Sequence, residues 1–396
     1  MTQTSPFTDV LGGLSSTAWN ALAENRLYSS HDWLRFCASD IGGNTVTGGL
    51  HVPVGEGGTA AVPVTAVEHE PNSFYQWQAH LSALGLPTPD AAGLLLGQRR
   101  GYQTHLLSSP GVGREQAASA ILDAVQKLRL ELAGSDLLPS TPADRPVPAY
   151  GLFLTTPDVQ ALRAAGAAGP PLLLAADAWI PIPQGGWQEW VQGLSSKRRV
   201  DMVRRDVKRF EEAGYRISVA PLGACYTEAA QLLVGTQARY GHAADPEVLA
   251  ESFRRQAEAM GEAAQVAFCG LPGQPPVGFC LYYVWGDTLY LRAAGFDYSR
   301  LHDACEYFNT VYYAPIRAAA EAGCRWVHAG IEAADAKALR GAELRPLWLL
   351  DLAEDSASAG HADTVRAHNA GELRRLTESS GAVAKAVATE AFAPFC

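Results

Sequence analysis

The sequence predicts a two-part α/β protein of the α+β kind, with mixed or antiparallel sheets flanked by helices. Three observations carry this. The chain has 396 residues, more than one ordinary core accommodates. Hydrophobic residues make up 47% and charged residues 18%, which buries two cores and is unlike a disordered chain. The same order of helices, extended runs between turns, a long helix and a further strand occurs in each half. The 38 glycines and 24 prolines follow no period, so a fibrous reading fails.

In the first half, Ser15-Ser16-Thr17 and Ser29-Ser30 precede short apolar-periodic runs and read as caps of two helices. Extended runs at 45–52 and 59–67, separated by Gly-rich turns, read as an antiparallel meander. A helix is expected over 74–84, a strand over 103–107 and a long amphipathic helix over 115–132. The four prolines between Gly134 and Pro148 mark a loop. Strands are expected at 150–154 and 172–180, with a helix over 157–165 between them. Trp179-Ile180-Pro181 ends the second strand, and the boundary falls near 180–190. The domains expected are therefore 1–185 and 186–396, the second carrying the catalytic centre.

In the second half, Ser195-Ser196 caps a charged helix over 197–213, which Gly214 stops before a strand at 215–220. Helices over 227–240 and 246–261 precede three strands, 265–271, 277–285 and 288–294, joined by hairpin turns. A helix over 303–322, kinked at Pro315, leads to a strand at 325–328 and a last strand at 344–350.

The net charge is −10, so the chain as a whole repels nucleic acid and any such partner must meet a local basic patch. Seven scattered cysteines, without a CxxC pair or a Cys/His cluster, point to reduced thiols and neither a disulfide framework nor a metal site. Met1 to Asp9 lacks the pattern of a signal peptide, and no apolar run reaches membrane-spanning length; the expected location is the cytoplasm. Abundant Ala, Gly and Arg fit a GC-rich bacterial genome.

Three clusters carry candidate chemistry. The first is Ser196 with Lys197, Arg198 and Arg199. Free N–H groups and the helix dipole favour a phosphate there, while a solvated helix with Asp201–Arg205 pairing is the competing reading. The second follows a strand: Asp297, His302 and Glu306 are candidates for the base that takes a proton from an amine, and each is otherwise a cap or a surface group. Cys305 beside His302 has no cysteine-hydrolase signature around it and reads as core. The third is Lys337 and Arg340, three apart on a short helix after a strand, suited to a phosphate or carboxylate or else simply an exposed basic face.

These residues resemble the GNAT-like proteins related to Fem-type peptidoglycan aminoacyltransferases. The likeness runs through Trp19-Asn20-Ala21-Leu22 with Ser30 to Leu34, Leu194 to Arg199 with Glu211 to Gly214, Gly295-Phe296-Asp297 with Ser299-Arg300-Leu301, and Lys337 to Gly341. The resemblance implies tandem GNAT-like domains. It also implies transfer from aminoacyl-tRNA in some members and from acyl-CoA in others. Two departures stand out: Ala336-Lys337 replaces the His-Lys of one related group, and Ser108 stands where the acetyl-CoA motif ending at Gly111 and Gly113 expects Gln or Arg.

The expected function is therefore amide formation, with an aminoacyl group passing from aminoacyl-tRNA to a small-molecule or cell-wall amine and no tightly bound cofactor. An acyl-CoA-dependent N-acyltransferase and a non-catalytic GNAT pair used for binding are the alternatives.

Overall fold

The computed structural model describes residues 6–39 and 42–396, so Met1 to Ser5 of the polar N-terminal stretch lie outside it. Ser15 caps α1 (Ser16–Ala23), its hydroxyl accepting the Ala18 N–H, and Ser30 takes the Trp33 N–H at the start of α2 (His31–Ser39). The hairpin β1 (Asn44–Val54) and β2 (Gly58–His69) precedes α3 (Trp77–Ser82) and the fully buried β3 (Gly93–Leu96). Only Leu107–Ser108 (β4) forms where a longer strand was expected, ahead of α4 (Arg114–Leu132). Next come β5 (Ala149–Leu154), α5 (Thr156–Ala164) and β6 (Leu172–Pro181).

The chain continues through α6 (Gly186–Gln192), α7 (Lys197–Glu212), β7 (Arg216–Pro221), α8 (Leu222–Arg239) and α9 (Pro246–Met260). The meander β8 (Ala264–Gly270), β9 (Gly278–Trp285), β10 (Thr288–Phe296) follows as expected. The helix expected over 303–322 starts later, as α10 (Glu306–Phe308), widens into a π-turn at Asn309–Tyr313 and resumes as α11 (Ala314–Glu321). Pro315 has no N–H to donate, and the wider turn just before it accommodates the missing bond in place of a sharp kink. Then come β11 (Trp326–Gly330), α12 (Ala334–Ala338), β12 (Glu343–Asp351) and three helices unforeseen in the sequence: α13 (Ala362–Thr377), α14 (Gly381–Ala386) and α15 (Thr389–Phe392).

The chain divides into two compact units, Met1–Asp177 with Arg345–Cys396, and Ala178–Leu344. The limits expected from sequence gave 345–396 to the second half, whereas in the fold these residues pack with the first.

The units share a topology. In the first, β1, β2 and β3 are antiparallel neighbours, β3 pairs parallel with β5 (Leu95 opposite Tyr150), and β12 closes antiparallel on β5. In the second, β7 to β10 form the antiparallel run, β10 pairs parallel with β11 (Leu289 opposite Val327), and the end of β6 closes antiparallel on β11. Each parallel step is bridged by a helix, α4 in one unit and α10–α11 in the other, as a parallel connection requires.

Beyond their paired stretch, β3 and β5 are filled in. Gly97 turns the chain at φ 123°, and Gln98, Arg99, Gln103 and Thr104 are all buried. Thr104 donates its N–H to Phe153 at 3.0 Å, Gln103 donates to Asp177 at 2.8 Å, and Arg99 is ion-paired with Glu70. A Cβ at Gly97 would collide with the Thr104 hydroxyl, in a backbone region that L side chains rarely adopt. Gly97→Ala should therefore cost about 1–3 kcal/mol in urea unfolding. Gly360→Ala, with open space around it, should stay within about 0.5 kcal/mol. Equal midpoints for the two variants would show that the filled segment does not constrain the first unit.

Candidate functional site

The second unit treats the same parallel step differently. Pairing of β10 with β11 stops at Tyr290 opposite His328, yet β10 runs on to Phe296, paired with β9 and donating the Phe296 N–H to the Thr236 hydroxyl of α8 at 3.0 Å. Four consecutive residues of this central strand, Leu291 to Ala294, are half-buried. A bulge at Arg292, where the register with β9 shifts, turns the strand further. The ladder between β10 and β11 ends at Tyr290, whereas in the first unit the chain turns back to fill the corresponding step. Where the ladder ends, Tyr290, His328 and Trp179 occupy one cross-strand row, with ring centres 5.3 and 4.9 Å from His328. That row depends on register between three distant strands and had no signal in the sequence.

The turn that follows β10 is built around a carboxylate. Glu306 is buried, and its two oxygens accept the N–H groups of His302 at 2.7 Å and Ala304 at 2.8 Å. Asp303 and Cys305 adopt left-handed backbone (φ 61° and 64°), so the turn's amides converge as they would on an anion. Burial, then the neighbouring Glu306 charge and its hydrogen bond, push the Tyr215 hydroxyl up to about 12. His302 is exposed, its ring centre 5.5 Å from that of Tyr215. Burial and then Asp206 push the Cys305 thiol up, away from nucleophilic chemistry.

Asp297 ends β10 and caps a short turn, one oxygen accepting the Ser299 N–H at 3.1 Å and its hydroxyl at 2.6 Å. It is half-exposed and lines a cavity of about 500 Å³. Asp297, His302 and Glu306 therefore belong to one loop but face different surroundings: a cavity, an aromatic ring and a cluster of amides.

The basic residues split in the same way. Ser196 caps α7 through the Arg199 N–H, and Lys197 and Arg198 are exposed beside it. Arg199 reaches across to donate to Ala338 at 3.2 Å, which brings α7 and α12 together. Lys337 and Arg340 are both buried. Lys337 donates to the Gly330 carbonyl at 2.9 Å, holding the end of β11. The Arg340 guanidinium lies 4.0 Å from the Phe308 ring centre, donates to the Tyr313 hydroxyl at 3.1 Å, and stands 4.0 Å from Asp206. Asp206, on the basic helix α7, is the buried centre of that network and accepts from Tyr313 at 2.9 Å. Arg205 lies 3.6 Å from Asp206, in place of the pairing with Asp201 that helical spacing suggests. Among the described residues no cluster of three or more His, Cys, Asp or Glu is placed to hold a metal ion, and no helix is long and apolar enough to cross a membrane.

No family model and no curated protein matches the chain. Solved structures do. FemX aligns over 85% of this chain and 96% of its own, with TM-score 0.57 and 12% identity. A conserved protein of unknown function from Bacteroides thetaiotaomicron VPI-5482 aligns over 86% and 98%, with TM-score 0.51 and 11% identity. A tandem GNAT protein from the clavulanic acid biosynthesis pathway aligns over 85% and 93%, with TM-score 0.44 and 12% identity. The fold is thus the FemX-like, GNAT-like architecture that the sequence resemblance implied.

Removing the Glu306 carboxylate should leave two turn amides without an acceptor. Glu306→Ala is expected to lose about 1–3 kcal/mol in urea unfolding. Inorganic phosphate should restore part of that loss in the variant and leave the native chain unchanged. A variant as stable as the native chain would show that the carboxylate does not hold the turn.

Proposed function

We propose that this chain transfers an aminoacyl group from aminoacyl-tRNA to an amine, forming an amide. The seam between β10 and β11, open in the second unit and filled in the first, carries the reading of that unit as the reaction centre. The FemX-like fold supports an acyl or aminoacyl transfer. The filled first unit favours a binding or structural part for that half, which is as much of the non-catalytic alternative as this reading keeps.

Two features favour tRNA over acyl-CoA. An acyl-CoA donor brings a pyrophosphate that wants free amides at a strand-to-helix turn, and Glu306 already occupies those after β10. By contrast, α7 presents Lys197, Arg198 and Arg204 to solvent, a basic surface on an acidic chain suited to a polyanion. Ser196, Lys197 and Arg198 are assigned to donor phosphates. Arg199, Lys337 and Arg340 then hold the frame behind them.

In this mechanism the amine attacks the ester carbonyl, whose developing negative charge is met by a backbone N–H of β10 beyond its pairing with β11. Asp297 is assigned as the base, because it faces a cavity and keeps one oxygen clear of its capping bonds. Glu306 anchors the turn, and His302 packs beside it.

The deciding assay incubates the protein with labelled aminoacyl-tRNA pools and, separately, labelled acyl-CoA, each with a mixture of amines. Loss of label from aminoacyl-tRNA alone is expected; loss from acyl-CoA alone overturns the donor assignment. Donor affinity should fall steeply with salt, and Arg198→Glu should weaken it at low salt. Asp297→Asn keeps a good capping residue, so the protein should remain folded while transfer slows by about 10²–10⁴-fold. Full turnover in that variant would remove Asp297 as the base.

A further inference from the structure

The cavity of about 500 Å³ beside Asp297 has a composition that specifies a ligand. Its volume suits a small metabolite. It lies between α8, the β8–β9 turn and the end of β10, all in the second unit. Two glycines set that wall. A Cβ on Gly235 would stand 2.8 Å from the Phe296 carbonyl, and one on Gly295 would stand 2.6 Å from the Leu232 carbonyl. The helix and strand therefore approach more closely than side chains permit.

The lining carries both signs of charge. The Arg239 guanidinium lies over the Tyr298 ring, 4.1 Å from its centre, and among the described residues it has no carboxylate partner. Glu228, three turns back on the same helical face and about 16 Å from Arg239 along the axis, has no basic partner among the described residues. Arg300 is committed, donating to the Pro275 carbonyl at 2.9 Å. Asp297 uses one oxygen on Ser299, and the other stands 4.0 Å from Arg300. A guanidinium positioned by an aromatic face and two carboxylates with remaining acceptor capacity thus line one groove, with Asp297 between Arg239 and Glu228 in the order of the lining elements.

We propose that this cavity binds a small molecule bearing both a carboxylate and an ammonium group, an amino acid or short peptide. The carboxylate sits on Arg239, and the ammonium sits on Asp297. Its role as acceptor rests on the transfer proposed above; the binding itself needs no donor. The ammonium gives one proton to Asp297, which passes it to water. The freed amine nitrogen bonds to the ester carbon, the bond from that carbon to the ribose oxygen breaks, and a second proton from nitrogen ends on the released ribose hydroxyl.

Saturation-transfer NMR on the full chain tests the site. The ligands are a mixture of the twenty protein amino acids and alanylalanine, compared with their carboxamides and with their N-acetyl derivatives. At least one free zwitterion should receive saturation, and its amide and N-acetyl forms should bind at least about tenfold more weakly. Arg239→Gln should weaken the zwitterion by about tenfold or more. Gln231→Trp, on the exposed face of α8 at the cavity, should abolish binding by filling it. No saturation of any zwitterion, equal binding of the amide, or indifference to both variants overturns the proposal. Zwitterion binding without transfer from aminoacyl-tRNA would remove the donor reaction and keep the site. Transfer indifferent to Arg239→Gln and Gln231→Trp would remove the site and keep the reaction.

Discussion

A buried carboxylate needs donors, and in the second unit Glu306 finds them in the turn just before it. That one requirement shapes much of what surrounds it. The amides of His302 and Ala304 are drawn inward, which obliges Asp303 and Cys305 into left-handed backbone. The helix after the turn therefore starts at Glu306 and then widens at Asn309–Tyr313, which sets Tyr313 over Asp206 and Arg340. The same carboxylate fills the place an external phosphate would take, so the turn's chemistry and its stability have one cause.

The two units show how one topology yields two outcomes. Each has an antiparallel run, a helical crossover to a parallel strand and a closing antiparallel strand drawn from the other half of the sequence. In the first unit the chain leaves β3 through Gly97 and returns so that Thr104 bonds to Phe153 of β5, with Gln103 and Arg99 buried on partners of their own. In the second, β10 continues as a strand, and its middle stays half-open beside β11. The difference is one of chain path: a turn at the end of the paired stretch brings residues back to fill the seam, and an unbroken strand carries them past it.

Charge in this chain is read differently by spacing and by packing. Lys197, Arg198, Arg199, Lys337 and Arg340 look alike along the sequence. Packing leaves the first two in solvent, uses Arg199 and Lys337 on backbone carbonyls, and encloses Arg340 between aromatic rings. A buried guanidinium needs acceptors and polarisable neighbours, and Tyr313, Asp206 and Phe308 supply both. Those partners come from α7, the π-turn and α10, so no local window contains them.

The sequence by itself determined most elements and their order. Ser15, Ser30 and Ser196 announce helices because a hydroxyl there takes an N–H that the helix cannot satisfy internally. The β8–β9–β10 meander was legible from apolar runs between Gly/Pro turns. The basic helix and the loop from Asp297 to Glu306 were legible as chemistry. Tertiary structure alone decided where those side chains face. The Tyr290–His328–Trp179 row, the Asp206 network and the meeting of Asp297 with Arg239 around a cavity depend on register and on distant segments. It also decided that 345–396 packs with the first half, because β12 finds its edge partner in β5, about two hundred positions earlier. Local propensity acts over a few residues; burial and strand pairing act between any two surfaces that the chain can bring together.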